Sequence, residues 1–327
     1  MTRGTHHVTL PGRWTGRLGW DAQHERYVSG RVEEGRQEMV DAAAFGILSF
    51  SGMNAEGQLG LRQAWNSAFG SPLLPSANAL LKRGEHRLRA SYARGFRAPT
   101  LKELHFRFVD INHMLFGNAE LNAESSHYGE ASWTWASQGH SIQGRTFVND
   151  VRDQIALVDQ LDGTFRYDNV KRFQAHGLGF QVEINQPKWS AQTGLLISGQ
   201  RQEAPGLDLP SKHLYTPEAT LSGTWLASAQ WRVNANAKMH GTRPRYVAVD
   251  NGGIDVAETE AYTLLDAQVT YLSNAWSLNL GWNNLLNVTA LNATAASGPH
   301  GGAAGWVAWG RSLALTFKYT LQSPVVS

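Results

Sequence analysis

Trp276-Ser277-Leu278-Asn279-Leu280-Gly281-Trp282 places tryptophan and leucine at every second position, with serine and asparagine between them. Side chains of an extended chain point alternately to its two faces, so a period of two marks a strand with one apolar face. The same alternation runs through Leu265, Ala267, Val269 and Tyr271, through Trp231 to Met239, and through Leu313, Leu315, Phe317 and Tyr319. Further upstream it recurs at Leu178 to Ile184 and at Leu88, Ala90 and Tyr92. The chain therefore reads as all-β. The opposite faces carry Arg87, Arg89, Glu183 and Lys318.

Two architectures satisfy this pattern. A soluble sandwich buries the apolar face against a second sheet. A membrane barrel turns it to lipid and keeps the polar face for its lumen. Strands of about nine to eleven residues, as a tilted span needs, and aromatics at strand ends favour an antiparallel transmembrane β-barrel. Connections alternate too. Ser137–His140 and Ala227-Ser228 are short, whereas 96–125, 202–213, 241–260 and 287–310 are long. At about 20–23 residues per strand and connection, the chain supplies about 14–16 strands.

Composition narrows the function. Glycine makes up 33 of 327 residues, and charged residues are 17%. With no cysteine, disulfide scaffolds, thiolate metal sites and thiol nucleophiles are excluded. A net charge of +2 gives no case for nucleic acid. No apolar run approaches the roughly 20 residues of a spanning helix. The start, Met1 to Pro11, has neither a long apolar core nor a small-residue cleavage site, which taken alone would read as cytosolic.

The stretch Arg89–Leu104 contains Phe96-Arg97-Ala98-Pro99, and Gly117-Asn118-Ala119-Glu120-Leu121-Asn122-Ala123-Glu124 follows it. With Phe147–Val151, Tyr167-Asp168-Asn169, Trp282–Asn287 and Gly310-Arg311 in order, the sequence resembles the TonB-dependent outer-membrane receptors from about residue 40 to 321. Ala119 and Ala123 stand where that family carries proline. The resemblance implies the later part of a barrel of the 22-stranded type, whose lumen is closed by an N-terminal plug. It implies residues 1–321 as partial barrel and 322–327 as a tail. It further implies a Gram-negative outer membrane, uptake of an iron chelate, haem or cobalamin, and energy from the TonB complex reached through the plug. Signal peptide, plug and first strands have no counterpart here, so the expectation is a truncated receptor. A short passive porin-like pore and a rim hydrolase are the rivals; no catalytic motif supports an enzyme.

Candidate ligand contacts follow. His113 lies in the interval where haem receptors of this family carry an axial histidine, and neutral imidazole ligates haem iron. Haem would be cargo, and no resident cofactor or metal is implied. His105, Phe106 and Phe108 share its loop and suit an anionic catecholate through cation–π and charge contacts. Arg87, Arg89, Arg94 and Arg97 suit anionic chelates or acids of a plug, with Lys102 and Glu103 in the same polar network. The dilute aspartates Asp150, Asp153, Asp159, Asp162 and Asp168 lack calcium-loop spacing.

Overall fold

The computed structural model describes residues 1–32, 35–111, 114–160, 163–203, 212–248, 254–291, 305–306 and 308–320. His113, Asp162 and the tail 322–327 lie outside them. The first unit of the chain comprises Met1–Trp133, Thr146–His176 and Gln200–Leu209, and the second Thr134–Arg145, Gly177–Gly199 and Pro210–Ser327.

In the first unit, β1 (Thr2–Thr9), β2 (Trp14–Val28), β3 (Arg36–Ser51), β4 (Ala55–Asn66), β5 (Leu73–Arg83) and β6 (His86–Arg97) form a continuous antiparallel meander. The registers put alternate residues in line across all six strands. One face carries Leu18, Leu48, Leu59, Leu61, Leu81 and Leu88, all exposed. The other carries Asp21 bound bidentately by Arg62 at 2.7 and 3.0 Å, and Glu56 paired with Lys82. Cross-strand aromatics cover glycines: a Cβ on Gly19 would run into the Phe45 ring, and one on Gly4 into Trp20. After β6 come α1 (Leu101–His105), β7 (Arg107–Val109) and β8 (Met114–Phe116). Then β9 (Glu124–Ser137), β10 (His140–Asp159), β11 (Phe165–Asn185) and β12 (Trp189–Glu203) contribute residues to both units.

The second unit continues with β13 (Leu214–Leu226), β14 (Trp231–His240), β15 (Arg243–Ala248), β16 (Ile254–Thr259), β17 (Tyr262–Leu272), β18 (Trp276–Asn283), β19 (Ala290–Leu291), β20 (Gly305–Trp306) and β21 (Ser312–Tyr319). Strands β13, β14, β17, β18 and β21 pair in that order. Register again separates the faces: Leu280 stands beside Leu315 and Val269, while Asn279 stands beside Thr316 and Thr270. Near the short turns, Trp231, Tyr271, Trp276 and Phe317 form a chain of ring contacts at 5.0, 5.2 and 6.0 Å, as the barrel reading expects of an aromatic girdle.

One long connection of this unit is closed by side chains. Asn284 adopts φ 49° and Asn287 φ 57°, left-handed conformations that asparagine tolerates. The amide of Asn284 donates to Val288 O and Trp309 O, both at 2.8 Å, and its carbonyl accepts from Val288 N. Asn287 Oδ1 accepts from Arg311 N at 3.0 Å.

Fifteen of the strands among the described residues, β1–β6, β9–β14, β17, β18 and β21, have eight residues or more. That agrees with the number expected, but the lengths depart from it. β10 has 20 residues and β11 has 21, so both continue past a membrane-spanning length. The connections read as long also hold structure: 96–125 contains α1 and the β7–β8 hairpin, and 241–260 contains the β15–β16 hairpin. Strands begin at residue 2, ahead of the first of the quoted motifs.

Candidate functional site

Phe96-Arg97-Ala98-Pro99 ends β6 and turns the chain. Pro99 has no N–H to extend a ladder and is almost fully buried. Thr100 then caps α1. Its hydroxyl accepts from Glu103 N at 3.2 Å, and Glu103 Oε2 accepts from Thr100 N at 2.8 Å, a reciprocal capping box. This box holds a helix of only five residues. Leu101 and Leu104 drop from it into a core with Met39, Leu121 and Ile155, flanked by Tyr27, Phe69 and Tyr167.

Arg97 joins the two sequence boxes. Its Nε and Nη2 donate to Glu124 at 2.9 and 2.7 Å, and its Nη1 donates to Glu103 Oε2 at 2.8 Å. Glu124 Oε1 also accepts from Ile155 N at 2.6 Å, tying β10 into the same network. Burial pushes the Glu103 carboxyl up, but the Arg97 guanidinium and the Thr100 donors outweigh it and hold the group below its usual 4.5. The acidic partners expected from a plug are thus supplied for Arg97 within this chain.

Gly117 passes so close to α1 that a Cβ there would meet the Leu104 carbonyl carbon and Phe106 N at 2.7 Å. Its N–H donates to Phe106 O, and Asn118 N–H donates to Glu103 O at 2.8 Å. Buried Asn118 accepts from Glu120 N and from Arg166 Nη2 at 3.0 and 2.9 Å. Asn169 repeats the device, bonding Asn122 and, through its amide, Asp153 O at 2.7 Å. The motif residues Arg97, Pro99, Gly117, Asn118, Leu121 and Glu124 therefore build one clamp that fixes a loop, with Phe96 and Ala98 flanking Arg97 where β6 ends.

What the clamp presents is a cationic aromatic surface. The Phe106 and Phe108 rings stack at 6.2 Å. Arg31 lies 4.3 Å over Phe108, and Lys102 Nζ lies 5.1 Å over Phe106. The Arg107 backbone N–H donates to Arg31 O at 2.8 Å and Val32 bridges to Phe106, which ties the Arg31 turn to this loop. His105 is partly buried, its Nδ1 without a hydrogen-bond partner among the described residues. The structure thus brings His105, Phe106 and Phe108 onto one loop above Arg97. Sequence reading missed Arg31, which comes from a distant hairpin and carries no local signal.

The arginines expected as one row divide between faces. Arg87, Arg89 and Arg97 share the odd positions of β6, whereas Arg94 is even and falls with Leu88 and Tyr92 on the apolar face. Arg89 lines a polar hollow of about 450 Å³ with Ser49, Gln58, Asn78 and Glu130. Lys102 is not in the Arg97 network but over the Phe106 ring. Asp150 is held by Arg172 through two bonds of 2.8 Å.

Comparison with known proteins bears on this arrangement. The family described as "TonB dependent receptor-like, beta-barrel" matches residues 8–285. Among solved structures, the chain is similar to the siderophore receptor PirA from Pseudomonas aeruginosa, with a TM-score of 0.70 at 19% identity over 96% of this chain and 53% of that one. It is similar also to the FrpB iron transporter from Neisseria meningitidis, with a TM-score of 0.72 at 13% identity over 96% and 54%. The chain thus spans about half the length of these structures. Among curated proteins it is 33% identical over 90 residues to "Hemoglobin and hemoglobin-haptoglobin-binding protein B" of Haemophilus influenzae, covering 28% of this chain and 8% of that protein. The sequence boxes, the clamp they build and a family match over most of its length agree: this chain belongs to the TonB-dependent receptor β-barrel family.

Proposed function

We propose that the chain serves in uptake of an iron chelate or haem across a Gram-negative outer membrane, energised by the TonB complex, with the clamped loop capturing the ligand. The observation that carries this reading is the placing of Arg31 and Lys102 over the stacked Phe106–Phe108 pair. A catecholate chelate is anionic, and each of its rings is flat and aromatic. Guanidinium and ammonium groups over rings meet its charge, and the rings meet its faces. The solved relatives whose names include siderophore and iron transport support an iron chelate. The Haemophilus relative, whose name includes haemoglobin, supports haem as the second reading, with His113 as candidate axial ligand and Arg97 and His105 as further candidate contacts.

The test uses the receptor purified from outer membranes. With a ferric catecholate as probe, Arg31→Ala with Lys102→Ala is expected to weaken binding about tenfold or more, as loss of two charge contacts implies. Unchanged affinity would refute the chelate reading. Haem binding that vanishes in His113→Ala while catecholate affinity stays at background would assign haem instead.

A further inference from the structure

Three strands of the second unit bring Glu218, His240 and Tyr262 into one row, at matched positions of β13, β14 and β17. His240 is the last residue of β14 and is buried, only 6% exposed. Its ring stacks on Tyr262 at 4.7 Å. Its Nδ1 meets two groups of opposite charge, Arg243 Nη2 at 2.5 Å and Glu218 Oε1 at 3.3 Å. The same Glu218 oxygen lies 3.5 Å from Arg243 Nη2. Arg243, Glu218 and Lys238, two residues back on β14, are the charged groups that act on the imidazole.

These contacts fix a protonation state. A guanidinium only donates, so Nδ1 meets it with a lone pair, and the proton of the neutral ring sits on Nε2. A second proton would turn an N–H toward Arg243. Two cations would then share one carboxylate. Buried His240 cannot leave its row, and its Nδ1 already faces Glu218. Arg243 is 45% exposed and can turn to water. Proton and guanidinium therefore compete for one place, and gain of the proton drives Arg243 out.

What Arg243 holds is the β15–β16 hairpin, of which it is the first residue. Among the described residues these two strands pair only with each other. A lone two-stranded hairpin is marginal in water, so its anchors decide where it lies. Further along, the Tyr246 hydroxyl reaches Lys212 O at 3.5 Å, a weak bond. Just before Arg243 the chain is pinned. Gly241 N–H donates to Pro217 O at 2.8 Å, and a Cβ on Gly241 would run into the Pro217 ring. Thr242 alone separates that fixed point from the anchor.

From this competition we infer that His240 is a pH-operated latch for the β15–β16 hairpin, closed while its imidazole is neutral and released when the ring gains a proton. Trp231 and the short turns lie at the other end of β14, so under the barrel reading the latch is on the exterior side. Acidity outside the cell then frees this connection. The inference takes only that orientation from the outer-membrane placement proposed above, and it does not depend on which solute is imported.

The test uses the protein purified from outer membranes in mild detergent, without added ligand. Hydrogen exchange read by mass spectrometry, corrected for the intrinsic effect of pH, is followed from pH 8 to 4.5. Protection of 243–259 is expected to fall about tenfold or more on acidification, the equivalent of one unit in the proton affinity of the imidazole. Protection of β13, β14 and β17 should hold. His240→Asn keeps an oxygen near the position of Nδ1 to accept from Arg243 but does not titrate, so its hairpin should stay protected throughout. Arg243→Ala should leave the hairpin loose at every pH. Glu218→Gln removes the anion that receives the protonated ring, and release should move to lower pH. Wild-type protection that ignores pH, the same acid release in His240→Asn, or an unmoved midpoint in Glu218→Gln would overturn the latch. So would a loss spread evenly over the neighbouring strands, which is acid unfolding. Catecholate or haem binding plays no part in this readout, so failure of the uptake reading is seen separately.

Discussion

Arg97 shows how a single side chain can turn two sequence boxes into one structure. Its guanidinium stands between Glu103, three residues into the turn, and Glu124, 27 residues away. Removing it leaves two shielded carboxylates facing each other. Arg97→Ala is expected to cost about 1–3 kcal/mol, discounted for the partial exposure of the site, and to lower the urea midpoint for unfolding. Arg97→Lys, which cannot form both bidentate contacts, should recover only part of it. The same network sets an acid limit. Because Glu103 is held below its usual 4.5, its contribution is fully present above that value and is lost as pH falls through the depressed value. Pepsin cleavage of the 101–123 segment should therefore rise on acidification below about 4.5 in wild type, and Glu103→Gln should flatten that step.

The capping box at Thr100 was legible in the sequence, since Thr followed three residues later by Glu is its signature, although its helix is too short for periodicity to reveal. The acceptors of Arg97 were not, because nothing local marks a partner 27 residues on. Arg94 was misplaced for a different reason. A row of arginines in one strand looks continuous, yet parity alone decides which of them share a face.

At the scale of elements, the boxes act by close approach. Gly117→Ala places a methyl against the Leu104 carbonyl and Phe106 N, both fixed by backbone hydrogen bonds. A loss of about 1–3 kcal/mol is expected, with faster trypsin cleavage at Lys102 and Arg107 while the strands stay protected. The paired strands make a sharper contrast. Leu315 and Thr316 are neighbours on β21, one facing its partner strand's Leu280 and the other Asn279. Leu315→Arg should cost about 2–4 kcal/mol in a bilayer refolding titration, whereas Thr316→Arg should cost little, because only the first enters lipid. Equal costs would refute the assignment of faces. These faces were readable in the sequence because register locks alternate positions together across the sheet. The β7–β8 and β15–β16 hairpins were not, since three to six residues give too few alternations to stand out from a loop.

For the molecule as a whole, periodicity and motif order carried the architecture, and composition excluded most rival chemistries. Ligand identity stayed out of reach for a physical reason. The clamp residues are spent on each other, so their types report the need for a fixed loop and not what the loop holds. The cationic aromatic surface is assembled from Arg31 after β2 and from Lys102, Phe106 and Phe108 along the α1–β7 segment, a meeting that only the fold creates.

Asn284 and Asn287 carry a practical consequence of another kind. Between them they fasten both ends of the 288–309 connection, through Val288, Trp309 and Arg311. The frame of that connection is therefore set at its base, and an insertion beyond it leaves these bonds in place. A foreign peptide spliced between Ser297 and Gly298 should leave β18 and β21 paired and be carried on the cell exterior as a display cassette. Antibody labelling of intact cells should detect it, and Asn284→Ala should abolish the display by opening the frame.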